Sequence, residues 1–158
     1  MDVGKDIVDK VLDTHISEWI QKVSKVRPEL GNFSLCPFAS TSKYAIIECQ
    51  AEDIMPISGY DVIFYVIEDY FDLQSVQFWV KYYNEVYSDL IFFEDCPENE
   101  TYISGIPTSN GKYNIIVMQD REKLRKARKK LAETGYYHHW NDELLKEILG
   151  EDVKFLDK

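Results

Sequence analysis

Val3, Ile7, Val8, Val11, Leu12, Ile16, Trp19, Ile20, Val23 and Val26 recur every third or fourth position, which predicts one long amphipathic helix. Pro28 ends it, because proline disfavours helical backbone in the residue before it, and Gly31 follows as a second breaker. The period is then lost over 28–42, apart from a single turn expected after Pro37. KYAIIECQ (43–50) is rich in strand formers and predicts the first strand, and 51–60, with Pro56 and Gly59, reads as a connection. YDVIFYVI (60–67) is almost continuously apolar, as a central strand covered on both faces should be. Leu73, Val76, Trp79 or Val80, Tyr83 and Val86 return to helical spacing over 72–87. DLIFFED (89–95) and KYNIIVMQD (112–120) predict two more strands, and 120–135 a helix ended by Gly135. A short last helix spans 141–150, with Asn141 as its N-cap and Gly150 as its stop.

The order helix, strand, strand, helix, strand, strand, helix, helix predicts an α+β fold. Its centre is a single mixed or antiparallel sheet of about four strands with helices packed on it. The block ββαββα within it is the order of a circularly permuted ferredoxin-like unit. The long N-terminal helix and the short C-terminal helix are additions to that block. At 158 residues the chain is expected to form one domain, with 136–158 as a C-terminal helical extension.

Composition narrows the setting. Three cysteines form no self-contained disulfide framework, and no C-x-x-C or C-x-x-H is present, so a reduced, cytoplasmic protein is expected. The first residues lack the pattern of a secretory signal, and no apolar stretch approaches the roughly 18 residues of a membrane span. The net charge of −10 makes nucleic acid a poor partner. The charge is unevenly placed: REKLRKARKK (121–130) holds seven of the 18 Lys and Arg and one of the 28 acids. The rest of the chain carries 11 cations against 27 acids.

With the elements placed, Leu35-Cys36-Pro37-Phe38-Ala39 after the first helix resembles a bacterial family of unknown function whose N-terminal helix ends in L-C-P-F-A. In that family, strand and helix units follow, then an F-H-P strand end, a long loop and a late helix opening with Leu-Arg. IFFEDCPENETYISG resembles the strand end and loop, and QDREKLRKARKKL the late helix. Asp95-Cys96-Pro97 stands where the family has a histidine before the proline, and a helix expected between the first two strands is reduced to 51–59. The resemblance spans roughly 15–130 and implies no activity or cofactor. The ending ETGYYHHW is similar to that of small proteins of marine phages and bacteria.

Cys36 is the first candidate for chemistry. If Pro37 opens a turn, Cys36 is its N-cap, and its sulfur faces unpaired backbone N–H groups, which favour thiolate. Its apolar neighbours and the lack of a nearby cation favour a structural cysteine instead. A redox pair of Cys36 with Cys96 is disfavoured by Glu94, Asp95 and Glu98, which raise a thiol pKa; Cys49 reads as core. The segment 95–111 reads as a long, mobile loop, and Ser109, Asn110 and Gly111 within it offer either a phosphate cradle or a simple turn. On the basic helix, Leu124, Ala127 and Leu131 form the expected buried stripe. Arg121, Arg125, Arg128 and Lys129 form either an anion site or a solvated face. His138 and His139 are adjacent and point apart, so no metal site is expected, and no cofactor. Tyr136, Tyr137 and Trp140 are expected to dock the last helix on the body, and His15 to be a hydrogen-bonded edge histidine.

Three functions follow from these residues. The first is an accessory module that binds another protein. The second is a thiol-dependent enzyme built on Cys36. The third is a binder of a nucleotide or phosphorylated ligand that uses the 95–111 loop and the basic helix.

Overall fold

The computed structural model describes residues 3–39, 41–68 and 72–156, with side chains described from residue 10. The apolar positions Val3, Ile7 and Val8 therefore lie outside the described side chains. Helix α1 runs Val3–Ser24, followed by strands β1 (Tyr44–Cys49) and β2 (Val62–Ile67), helix α2 (Leu73–Val86) and strand β3 (Leu90–Asp95). A two-stranded hairpin, β4 (Tyr102–Ile103) with β5 (Ile106–Pro107), precedes β6 (Ile115–Asp120), α3 (Arg121–Ala132) and α4 (Asp142–Leu149). The last described residues form a 3-10 turn, Gly150–Leu156. Among the described residues, no helix is long and apolar enough to cross a membrane.

The fold is α+β, with a mixed sheet in the order β1-β2-β6-β3. β2 and β3 flank β6 and run antiparallel to it, with α2 linking them, which is a split βαβ unit. This is the strand order of a permuted ferredoxin-like sheet, with one difference. The edge strand β1 runs parallel to β2, where a plain permutation would make it antiparallel. The connection 50–61 makes that possible: it carries the chain back over the α2 side, where Ala51 and Ile54 are buried.

The period-2 alternation of β2 divides the core. Ile63, Tyr65 and Ile67 pack under α2 with Val76, Val80, Tyr83 and Phe92. Val62, Phe64 and Val66 face Leu12 and Ile16 of α1, with Ile115 and Val117 of β6. All six residues of β2 are buried, as its unbroken apolar run predicts.

Helix starts follow local chemistry. Asp72, Asp120 and Asn141 each accept the backbone N–H three residues on, at 2.8 Å. After α1, Gly31 takes a left-handed conformation (φ 69°). A Cβ there would lie 2.8 Å from His139 Nε2, so this turn leaves room for the C-terminal segment only because residue 31 is glycine. Tyr136 and Tyr137 are buried; Tyr136 donates its hydroxyl to the Leu35 carbonyl and meets the Phe33 ring edge-on at 5.4 Å. The last helix is thus docked by tyrosines, on the turn that carries Cys36.

Candidate functional site

Helix α1 covers only part of its side of the sheet. Its contacts fall on β1, β2 and β6. Register places Ile91, Phe93 and Asp95 of β3 opposite Gln119, Val117 and Ile115, so these residues share the α1 face without α1 above them. A groove of about 780 Å³ lies over this open half. Its floor includes Phe64, Val117, Ile91 and Phe93. Trp19 and Val23 of α1, the 35–39 turn, Leu124 of α3, and Leu144 and Ile148 of α4 form its apolar walls. The volume is that of a site for a small ligand or a short segment of chain, within the roughly 300–1,000 Å³ such sites span.

The groove brings together Cys36, Ser109, Arg121, Arg125 and Arg128, which the sequence offers as separate candidates. Asn110, Gly111 and Lys129 do not line it. Its charged lining is acidic on balance, with Asp95, Glu122, Glu147, Glu151 and Asp152 against three arginines, while the Glu94 carboxylate accepts from Gln77 and Asn99 on the α2 side of β3. Arg128 is buried and bonded to Asp152 (3.1 Å) rather than set on a solvated face beside Arg125. The Gly150–Leu156 turn packs along α3 and supplies that carboxylate. Arg125 lies 3.9 Å from Glu122, and Arg121 donates Nε–H to the Ser88 carbonyl at 3.1 Å.

Cys36 caps the turn at Pro37 as its position predicts. Its sulfur accepts the backbone N–H groups of Phe38 and Ala39, which favours thiolate, but burial outweighs them and pushes the thiol pKa up. Cys36 also packs beside Leu35 and Ile103, whereas Cys96 is fully buried in the α2-side core. Burial, with Asp95 and Glu94 nearby, pushes Cys96 up to about 12. Burial likewise raises Cys49, to about 11.

The segment 95–111 has structure of its own, where the sequence reads as a long loop. Beyond the β4–β5 hairpin, its ends are joined by Asp95 Oδ1, which accepts from Asn110 N (2.9 Å) and Nδ2 (2.7 Å). Asn110 Oδ1 in turn accepts from the backbone N–H groups of Lys112 and Tyr113. Ser109 N–H goes to Glu100 and Gly111 N–H to Ser109 Oγ. The donors that would cradle a phosphate are therefore committed to internal acceptors, two of them carboxylates. Helix α1 clamps the same segment: Trp19 Nε1–H donates to the Thr108 carbonyl (3.0 Å), and His15 Nε2 lies 2.9 Å from the Asn110 carbonyl. Burial is the main reason the Asp95 carboxyl is pushed up to about 6; Asn110 pulls it down, and Glu100 and Glu94 add to the rise.

Three structural residues had no clear sequence signal. Asn84 on α2 donates to the Phe92 carbonyl and accepts the Phe92 N–H, both at 2.8 Å, and so caps part of edge strand β3 with a side-chain amide. Asp152 pairs with Arg128 across 24 residues, and Asp95 with Asn110 across 15. Against protein-family models, curated proteins and solved structures, the chain finds no match.

Proposed function

We propose that this chain is a protein-binding module whose groove takes an apolar segment of a partner bearing Lys or Arg along its edge. The supporting observation is the lining: an apolar floor from Phe64 to Phe93, bordered by five carboxylates and three guanidinium groups. Two of those cations already face carboxylates of the rim, Arg128 with Asp152 and Arg125 with Glu122. What remains attracts a cation and repels an anion. The amphipathic segment suits both parts, its apolar side on the sheet and its charges at the rim.

The other two readings draw less support. A thiol enzyme needs thiolate at Cys36, and burial there favours the neutral thiol. A phosphate binder needs free N–H donors around 109–111, where Glu100, Asp95 and Ser109 already accept them. Three free cysteines favour a reducing, cytoplasmic setting for the module.

Trp19 and Trp140 both line the groove, so their emission reports what enters it. The test uses a Trp79→Phe background, which removes the tryptophan of the α2 side. A model helical peptide of leucine and lysine is titrated against its leucine and glutamate counterpart. The lysine peptide should shift the emission saturably, and Glu147→Lys with Glu151→Lys should weaken it. Equal or tighter binding of the glutamate peptide, or no shift with either, refutes the proposal.

A further inference from the structure

Helix α2 buries one side against the sheet through Val76, Val80 and Tyr83, and presents a second apolar stripe outward. Phe78 is 62% exposed, Tyr82 46% and Val86 52%. They stand at i, i+4 and i+8, on one line of a helix. The stripe is held in place: the Trp79 ring packs edge-on against both Phe78 (5.4 Å) and Tyr82 (5.5 Å). Rigid aromatic rings at this exposure are what interfaces use, since little side-chain entropy remains to be lost on contact.

We propose that this stripe seats a second copy of the chain, with two α2 helices packed antiparallel about Tyr82. The charge pattern selects that occupant. Lys81 and Glu85 are the charged residues of α2, both exposed and on the same flank of the stripe. In an antiparallel pair centred at Tyr82, Phe78 meets Val86 of the copy, and the Lys81 flank of one helix runs beside the Glu85 flank of the other. The match occurs twice, as a two-fold axis requires. α2 is neutral on a chain of net charge −10, so two copies approach there with less repulsion than an average face would impose. The groove reaches Val80 and Asn84 of α2 around edge strand β3, but Phe78, Tyr82 and Val86 do not line it, so the two sites share no residue.

Sedimentation of the full chain from low to high micromolar concentration is the test. The wild type should show reversible monomer and dimer. Phe78→Ser with Tyr82→Ser should be monomeric, with an unchanged far-ultraviolet circular dichroism spectrum. Lys81→Glu alone and Glu85→Lys alone should each weaken self-association by roughly tenfold, since two favourable contacts become repulsive. An equimolar mixture of those two variants should recover wild-type association, because each introduced charge then faces its opposite. A wild type that stays monomeric overturns the proposal. So does a mixture that associates no better than either variant alone, or a dimer that survives loss of Phe78 and Tyr82.

Discussion

At the residue scale, Asp95 and Asn110 define how the 95–111 segment is held. A carboxyl raised from 3.8 to about 6 binds its proton more tightly in the folded chain than in the unfolded one. Its contribution is therefore fully present below pH 3.8 and is lost as pH rises through about 6. Relative to Asp95→Asn, the wild type should gain stability on going from pH 7 to pH 4, by roughly 3 kcal/mol at most. Thermal unfolding of both proteins across that range measures the difference, and parallel curves refute the assignment. Asn110→Ala should cost roughly 2–4 kcal/mol at neutral pH and less at pH 4, because it takes the Nδ2–H bond from the Asp95 carboxylate, which keeps only the Asn110 N–H, and leaves the backbone N–H groups of Lys112 and Tyr113 without their acceptor. At Cys36, serine should be tolerated better than alanine. Its hydroxyl can accept the same two N–H groups as an N-cap, whereas alanine accepts none. Chemical denaturation of Cys36→Ser and Cys36→Ala ranks them; the reverse order means the sulfur is held by packing alone.

At the element scale, α3 separates two kinds of cation that look alike in sequence. Arg125→Glu changes an exposed side chain and should leave stability within about 0.5 kcal/mol of wild type. Arg128→Glu sets a carboxylate in a buried position against the partly shielded Asp152 and should destabilise by roughly 3–5 kcal/mol, read from urea unfolding. Equal effects would mean that the Gly150–Leu156 turn does not hold Arg128. The helices were legible from their apolar period, with Asn141 capping α4 as expected, and the four long strands from their runs of strand-forming residues. The hairpin Tyr102–Pro107 was not legible, since two residues per strand are too short for a period to show. The parallel setting of β1 was equally hidden, because strand direction depends on the path of the connection and not on the pattern within the strand. The groove was partly legible: Cys36 and the arginines drew notice through residue type, but only the incomplete cover of the sheet by α1 shows that they share a cavity. Arg128 was misplaced because its partner Asp152 lies in a turn with no helical period to announce it.

At the scale of the whole molecule, charge and burial act in opposite directions, and salt separates them. A body of −10 repels itself when compact, and that repulsion falls as salt shortens the Debye length to roughly 10 Å at 0.1 M. The pair that holds the C-terminal turn, Arg128 with Asp152, is largely shielded from solvent and so loses little to added salt. Sodium chloride should therefore raise the thermal midpoint of the free chain. Salt should have the opposite effect on the groove, where a basic segment is drawn by exposed carboxylates such as Glu147 and Glu151, so the affinity of the lysine peptide should fall over the same range. Unfolding and titration at matched salt concentrations compare the two responses. A midpoint that falls with salt would mean that local ion pairs outweigh the net charge. Peptide binding insensitive to salt would mean that the acidic rim plays no part in recognition, and the apolar floor would have to account for it alone.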